Sequence, residues 1–190
     1  MIITLTGASG SGKTTIAKKI MERLPNAHPL TSHTTRSPRP TDQRHDFEYL
    51  DTKTFDEMKE RGEFLWTAQV ADTRYGTSMS LLQKALEDEA CIWIMLLVPE
   101  VLPTLYEFAR TSHTHDSLTS FFIQVPDEDT LRERMKRRGD ADEQIEKRIE
   151  ACHDFESKAD ASDIPYIKID NSGELDDAVD AIIAKIETNQ

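Results

Sequence analysis

The chain has 190 residues, a length that supports one domain with a full hydrophobic core and is short for two independent ones. Its hydrophobic share of 37%, with only 7 glycines and 8 prolines, excludes a disordered or collagen-like chain. Asp and Glu total 35 and Lys and Arg total 23, so the net charge of −12 excludes a general binder of nucleic acid or anionic membrane. Any anion that this chain binds must therefore meet a local basic site.

The apolar segments are short. The longest run, residues 91–98, has 8 residues, far fewer than a bilayer requires, and the start, MIITLTG, lacks the basic region of a secretory signal. Cys91 lies in a strand-like run and Cys152 in a charged, helix-like run, which disfavours a disulfide framework. These features predict a cytoplasmic protein.

The first 24 residues combine a strand, a glycine-rich loop and a helix. Residues 1–6, MIITLT, form an apolar run typical of a short buried strand. The next residues, GASGSGKT, match the pattern G-x-x-x-x-G-K-[ST], and residues 15–24 then repeat apolar positions at helical spacing. A strand before this pattern and a helix after it are the context of a phosphate-binding loop, so we expect ATP or GTP to bind here.

The residue types of this loop suit a nucleotide polyphosphate. Gly7, Gly10 and Gly12 permit the tight turns that direct consecutive backbone N–H groups at one anion. The N-terminus of the following helix adds a favourable dipole. Lys13 supplies a positive charge for the β- and γ-phosphates, and the Thr14 hydroxyl is a ligand for Mg²⁺.

The chain after residue 78 alternates between strands and helices. We predict strands at residues 91–98, 121–125 and 166–170, and helices at residues 80–88, 100–110, 127–138, 143–159 and 174–187. This alternation predicts an α/β fold with a parallel sheet covered by helices on both faces. The polar loop at residues 111–119 holds His113 and His115, which fits either a metal-binding pair or an ordinary solvated loop.

Two basic segments stand out in this acidic chain. One lies in residues 31–78, which we interpret as an inserted substrate-binding subdomain with short strands and one helix near residues 54–61. Its segment SHTTRSPRP brings Arg36 and Arg39 close together, which suits either a bound phosphate monoester or an exposed turn with two solvated arginines.

The second basic segment, residues 132–148, carries seven of the 23 Lys and Arg residues. Such a concentration of charge can neutralise a phosphoryl group during transfer and can close over it. It equally fits a solvated helix face with ion pairs such as Glu128–Arg132.

Together these motifs resemble the guanylate kinase family over nearly the whole chain. The matching segments are GASGSGKTT, SHTTRSPRP, FDEMKERGEF at 55–64, YGTS at 75–78, Arg134 with RRG ending at Gly139, Lys147 with Arg148, and IKIDN at 167–171. The resemblance implies a single P-loop nucleoside monophosphate kinase domain, with a P-loop NTPase-type parallel sheet flanked by helices. Its core would be residues 1–30, 79–136 and 149–190, its inserted monophosphate-binding subdomain residues 31–78, and its lid residues 137–148.

The resemblance also implies roles for individual residues. Lys13, Arg134 and Arg148 would stabilise the transferred phosphoryl group as catalytic residues. ATP would be bound by Gly7, Ala8, Ser9, Gly10, Ser11, Gly12, Lys13, Thr14, Thr15, Arg134, Arg138 and Asn171, with Thr14 also binding Mg²⁺. The acceptor's phosphate would meet Arg36, Arg39 and Tyr75, and its base Ser32 and Thr77. The implied partner is GMP, dGMP or a related monophosphate, with no nucleic acid and no membrane, and the chain is expected to be a monomer or a homodimer.

The predicted acceptor site departs from the family pattern. Phe47 stands where the family has a phosphate-binding tyrosine, and its ring cannot donate a hydrogen bond, so Tyr49 or His45 is the expected substitute. A glutamate with which the family reads guanine is missing from the segment EFLW, which ends at Trp66. Gln69 is a replacement donor and acceptor, whereas Trp66 fits either stacking on the base or packing in the core.

The strand predicted at residues 91–98 also lacks the family's two carboxylates, whose positions fall on or next to Met95 and Leu97. Glu100, just beyond the strand, is a substitute for the carboxylate that helps to organise Mg²⁺ and the lid. Guanine presents two donor groups that need acceptors. Without the family's carboxylates, this pocket is poorly suited to recognise guanine in the way the family does.

Three functions therefore stand as hypotheses. The first is an active kinase that uses ATP and Mg²⁺ to phosphorylate GMP or dGMP. The second is the same chemistry on a pyrimidine or modified-base monophosphate. The third is a kinase-dead binding module, which the intact Lys13 and Thr14 disfavour because such a module does not need them.

Overall fold

The computed structural model describes residues 1–8, 10–38, 47–70, 73–114, 117–124 and 127–188, with only the backbone described at residues 70, 138, 151, 153 and 154. The strands are β1 (Ile2–Thr6), β2 (Ala27–Pro29), β3 (Ser32–Thr34), β4 (Phe47–Tyr49), β5 (Phe64–Val70), β6 (Thr73–Ser78), β7 (Ile92–Leu96), β8 (Leu118–Ile123) and β9 (Tyr166–Ile169). The helices are α1 (Lys13–Arg23), α2 (Thr52–Glu60), α3 (Met79–Glu87), α4 (Leu102–Thr111), α5 (Glu128–Arg138), α6 (Asp142–Asp160) and α7 (Leu175–Thr188).

Five strands form one sheet in the order β2-β7-β1-β8-β9, in which β2 pairs with β7 and β8 with β9 in parallel. Parallel neighbours need crossover connections, and helices supply them here. All five residues of β1 are buried, and the Thr4 hydroxyl donates to Ser120 Oγ of β8 at 2.7 Å, so this polar pair is satisfied inside the sheet. The predicted α/β fold with a parallel sheet flanked by helices is confirmed.

Four strands form a second sheet in the order β4-β3-β6-β5. In it β3 pairs with β4 in parallel, and β6 pairs with β3 and β5 in antiparallel fashion. The sheet is covered on one side by α2, whose fully buried Phe55 stacks on the ring of Phe64 with centroids 4.8 Å apart. This stacking identifies the face of the sheet that packs against α2.

The chain divides into two compact units. The first consists of Met1–Ile2, Ala27–Met95 and Val101–Leu118, and it contains the four-stranded sheet. The second consists of Ile3–Asn26, Leu96–Glu100 and Thr119–Gln190, and it contains the glycine loop with α1, α5, α6 and α7. The candidate residues accordingly fall into two groups, one in each unit.

Capping residues set several helix ends where the sequence predicts them. Asp127 accepts a hydrogen bond from the Thr130 N–H at the start of α5, and Gly139 ends that helix with a φ of 87°. Strand β8 begins at Leu118, three residues before the predicted start, because the polar Ser120 is buried by its bond to Thr4 rather than exposed in a loop. A 3₁₀ turn at Pro99–Val101 delays the start of α4 to Leu102.

None of the described helices combines the length and the apolar character that a membrane crossing needs.

Candidate functional site

The second unit presents the glycine loop as a backbone cradle. Gly7, Gly10 and Gly12 all have positive φ angles, of 149°, 86° and 95°, as the motif predicts. Helix α1 then begins at Lys13 with no side-chain cap and no acidic residue in its first turn. Its initial N–H groups lack intrahelical partners by geometry, and the dipole there favours an anion, so the loop has the form of a phosphate site.

The Lys13 side chain lies across this loop. Its Nζ donates to the carbonyl oxygens of Gly7 and Ala8, both at 2.7 Å, and lies 3.4 Å from Ser11 Oγ. The ammonium group therefore sits at the mouth of the cradle, and Thr14 beside it is exposed. A cation held at this point suits the terminal phosphates of a nucleotide.

Asn171 braces the loop from the segment after β9. It is 2% exposed, and its Nδ2 donates to the Ser11 carbonyl at 2.7 Å. The backbone carbonyl of Asn171 accepts from Arg134 Nη2 at 3.1 Å, so Asn171 links a predicted catalytic arginine to the loop. Asn171 Oδ1 and Thr6 Oγ1 are buried without a partner among the described residues, and such an acceptor is costly unless a ligand donates to it.

We expect Asn171→Ala to lower the melting temperature by about 4–8 °C. The substitution leaves the Ser11 carbonyl buried without its donor, which costs about 2 kcal/mol, and 1 kcal/mol corresponds to about 2–4 °C in a chain of this size. Thermal denaturation measures the change, and the exposed Ser172→Ala is the control. Equal melting temperatures for the two variants would contradict the bracing role.

Helices α5 and α6 pack onto this loop through a hydrophobic cluster. The cluster comprises Ala8, Leu131, Met135, Ile145, Ile149 and Cys152, with Phe155 packed against it. Burial raises the pKa of the Cys152 thiol, so this cysteine is an inert packing residue rather than a nucleophile, and both cysteines are free. The loop and the basic helices thus share one core.

The basic segment of α5 and α6 is extensively ion-paired. Arg132 donates to both carboxylate oxygens of Glu146, at 3.0 and 3.1 Å, and these hydrogen bonds lower the pKa of Glu146. Arg148 Nη1 donates to Asp140 Oδ2 at 2.9 Å. Arg132 therefore ties α5 to α6, whereas Arg134 and Arg148 are the arginines that the sequence assigns to phosphoryl transfer.

In the first unit, predicted acceptor residues share one face of the four-stranded sheet, which we call the Tyr75 face. Residues paired across strands, or two apart along a strand, project to the same side. The pairings that establish this are Ser32–Phe47, Thr34–Tyr75, Thr34–Tyr49 and Trp66–Thr77. The strand register thus brings together Ser32, Tyr49, Trp66, Tyr75 and Thr77, which are distant in sequence. Thr77 is buried, at 1% exposure, and the other four are half-buried.

Gln69 is not brought into this group. It pairs with Arg74, and both project to the opposite side, which we call the Arg74 face. That face is the one covered by α2, where Arg74 forms an ion pair with Asp56. The period of two along β5 separates Gln69 from Trp66, a distinction that the residue types alone do not reveal.

Arg36 follows β3 and reaches the Tyr75 face. Its guanidinium carbon lies 5.1 Å from the ring centroid of Phe47 and 5.7 Å from that of Tyr49. Its backbone N–H donates to Thr34 Oγ1 at 3.2 Å. Arg36 thus lies beside Tyr49, the expected substitute for the family's phosphate-binding tyrosine.

Several predicted residues lie outside this description. Ser9, Arg39, His45 and His115 are not among the described residues, nor is the side chain of Arg138.

Within the described ranges, no three His, Cys, Asp or Glu side chains are grouped to hold a metal. Glu100 accepts from Lys158 Nζ of α6 at 2.7 Å, so an ion pair engages the carboxylate considered for Mg²⁺.

The chain is similar to known proteins over nearly its whole length. A family model described as Guanylate kinase matches residues 1–188. A guanylate kinase from Nitrosomonas europaea is 31% identical over 155 residues, which cover 80% of this chain and 73% of that protein. One from Helicobacter pylori is 34% identical over 153 residues, covering 78% and 69%. The chain belongs to the guanylate kinase family.

The fold agrees with this membership. A crystal structure of guanylate kinase from Anaplasma phagocytophilum matches with a TM-score of 0.72 at 22% identity, covering 100% of this chain and 86% of that one. As a member of the guanylate kinase family, the chain is a P-loop nucleoside monophosphate kinase, a transferase that binds ATP. The comparisons give no support to a non-guanine acceptor or to a kinase-dead module.

Proposed function

We propose that this member of the guanylate kinase family transfers the γ-phosphoryl group of ATP to GMP or dGMP. The observation that carries the proposal is the Tyr75 face, where Arg36 stands beside Tyr49 and the residues predicted to meet a base, Ser32 and Thr77, lie on the same side of one sheet. The guanidinium suits the acceptor's phosphate, and the hydroxyls both donate and accept hydrogen bonds.

The donor nucleotide would bind in the second unit. The loop N–H groups and Lys13 would bind the polyphosphate, and Arg134 and Arg148 would offset the charge that develops on the transferred group. The acceptor is already a phosphate oxyanion, so no carboxylate is needed as a general base. Positioning and charge neutralisation are then sufficient for transfer.

Mg²⁺ fits the donor set of the second unit with Thr14 as its protein ligand. Mg²⁺ bound to a nucleotide keeps several waters and takes one or two protein oxygens, so the exposed Thr14 hydroxyl at the start of α1 is an adequate ligand. When bound, the ion neutralises charge on the β- and γ-phosphates. Strand β7, IWIML, contributes no carboxylate to it.

A coupled assay across the ribo- and deoxyribonucleoside monophosphates tests the acceptor. We expect GMP and dGMP to be phosphorylated at least ten times faster than AMP, CMP or UMP at equal concentration. Because β7 supplies no carboxylate to read guanine, Ser32 and Thr77 should carry that recognition, assisted by stacking on Trp66. Faster turnover of a pyrimidine monophosphate would contradict the proposal.

Arg36→Ala should raise the KM for GMP by about 10- to 100-fold and change the KM for ATP little. Loss of a hydrogen bond between charged groups costs about 1.5–3 kcal/mol, and each 1.36 kcal/mol is a factor of ten. The matched control is Arg74→Ala, which removes an arginine from the same sheet on the opposite face, where it pairs with Asp56. Similar KM values for GMP in the two variants would show that the acceptor site is assigned wrongly.

A further inference from the structure

Phe47 lies at the centre of a cluster formed by one arginine and two tyrosines. Its ring centroid is 5.1 Å from the Arg36 guanidinium carbon, 5.9 Å from the Tyr75 ring and 6.2 Å from the Tyr49 ring. All four side chains are half-buried on the Tyr75 face. Phe47 therefore contacts each of the other three residues.

The contact between Phe47 and Arg36 leaves the chemistry of the guanidinium intact. An aromatic ring attracts the cation through its negative face and occupies none of the guanidinium's five N–H donors. The donors at the edge of the group are those that bind a phosphate. One of them, Nη1, donates to the Ser37 carbonyl at 3.1 Å, which fixes one end of the plane while the ring supports its face.

Packing alone does not account for an aromatic residue at this position. The apolar core of this sheet lies on the other side, where Phe55 of α2 stacks on Phe64. Phe47 belongs to the edge strand β4, whose three residues pair only with β3. A half-buried aliphatic residue would fill the same space there, but it would not attract a cation.

We infer that Phe47 is a positioning residue for the acceptor: its ring holds the Arg36 guanidinium in the orientation that binds the monophosphate. The inference rests on the proposed function, since it assumes that Arg36 meets the acceptor's phosphate. The Phe47 side chain has no hydrogen-bond donor, so it would act through its ring contacts with Arg36 and with its two tyrosine neighbours.

The kinetic test compares Phe47→Leu with Phe47→Tyr. We expect Phe47→Leu to raise the KM for GMP by about three- to thirtyfold, the range that a cation–π contact supplies, with kcat and the KM for ATP within twofold of the wild type. Phe47→Tyr keeps the ring and should leave the KM for GMP unchanged or lower it. Phe108→Leu, at a half-buried phenylalanine of α4 in the same unit, is the matched control and should change neither constant.

Fluorinated phenylalanines at position 47 separate the ring's charge from its shape. Each fluorine withdraws electron density from the ring face and weakens its attraction for a cation while almost preserving volume. The KM for GMP should therefore rise stepwise with the number of fluorines. A KM that stays constant along this series would show that Phe47 acts through shape alone and would overturn the inference.

A second readout needs no enzymatic activity. The Arg36 Nε–H proton, assigned in the NMR spectrum by its loss in Arg36→Lys, should be shifted upfield by the Phe47 ring and should move downfield in Phe47→Leu. An unmoved resonance overturns the inference even if the kinetics change. A wild-type chain inactive on every monophosphate overturns the proposed function, whereas an active wild type whose KM for GMP is unchanged in Phe47→Leu overturns this inference alone.

Discussion

Lys13→Ala should lower kcat by about 10³-fold while the chain stays folded. Removing one preorganised group that stabilises transition-state charge typically costs 10²–10³ in kcat, and Lys13 is the cation at the mouth of the glycine loop. The two hydrogen bonds from Lys13 to the loop carbonyls are only partly buried, so water can replace them. Steady-state kinetics with saturating ATP and GMP measures the effect, and circular dichroism verifies the fold.

The control for this variant is Lys19→Ala on the same helix. Lys19 pairs with Asp176 of α7 at 2.7 Å, and both side chains are substantially exposed, so its loss should change stability and kcat little. If Lys13→Ala kept more than a tenth of the wild-type kcat, the phosphate-binding role of the glycine loop in this chain would be refuted.

Gly7→Ala should lower the melting temperature by about 6–12 °C and abolish ATP binding. A Cβ at residue 7 would lie 2.5 Å from the Ile123 backbone oxygen, and the φ of 149° is one that side-chain-bearing residues rarely adopt. Backbone strain of about 1–2 kcal/mol and overpacking of about 1–3 kcal/mol together give about 3 kcal/mol, and 1 kcal/mol corresponds to about 2–4 °C. Strand β8 is paired on both sides, with β1 and β9, which limits how far the carbonyl can move away.

Gly62→Ala isolates the strain from the clash. Gly62 also has a positive φ, of 69°, but a Cβ there would meet nothing within 4 Å. Its substitution should therefore cost only the strain, about 1–2 kcal/mol, and leave ATP binding unchanged. Thermal denaturation and ATP titration of both variants measure the difference, and equal destabilisation would contradict the close packing of the loop against β8.

Local patterns in the sequence predict the geometry of the glycine loop well because its parts are adjacent in the chain. The strand, the three glycines with positive φ, Lys13 and the following helix occupy a continuous segment, so the motif and its geometry correspond residue by residue. Asn171 was predicted from resemblance alone. The bond from its side chain to the Ser11 carbonyl joins residues 160 positions apart, which no local pattern reports.

Strand pairing determines which of the predicted acceptor-site residues lie together, and the sequence gives less information about this pairing. The register brings Tyr75 and Thr77 to the same face as Ser32, whereas Gln69 projects to the face that α2 covers. In the sequence, Phe47 replaces a tyrosine and lacks its hydroxyl. In the structure, its ring lies under the Arg36 guanidinium. The sequence offers Glu100 as a carboxylate for Mg²⁺, whereas in the structure it forms an ion pair with Lys158.

The sequence alone predicts the α/β class, the glycine loop and most helix and strand positions, because these follow from periodicity and from motifs of contiguous residues. It predicts the family through the resemblance of those motifs to guanylate kinases. The strand register and the helix packing are needed to tell which side chains share a face and which charged side chains form ion pairs, such as Arg132 with Glu146. The physical reason is that strand register and helix packing arise from burial summed over distant segments, and a shift of one residue along a strand turns a side chain from one face to the other.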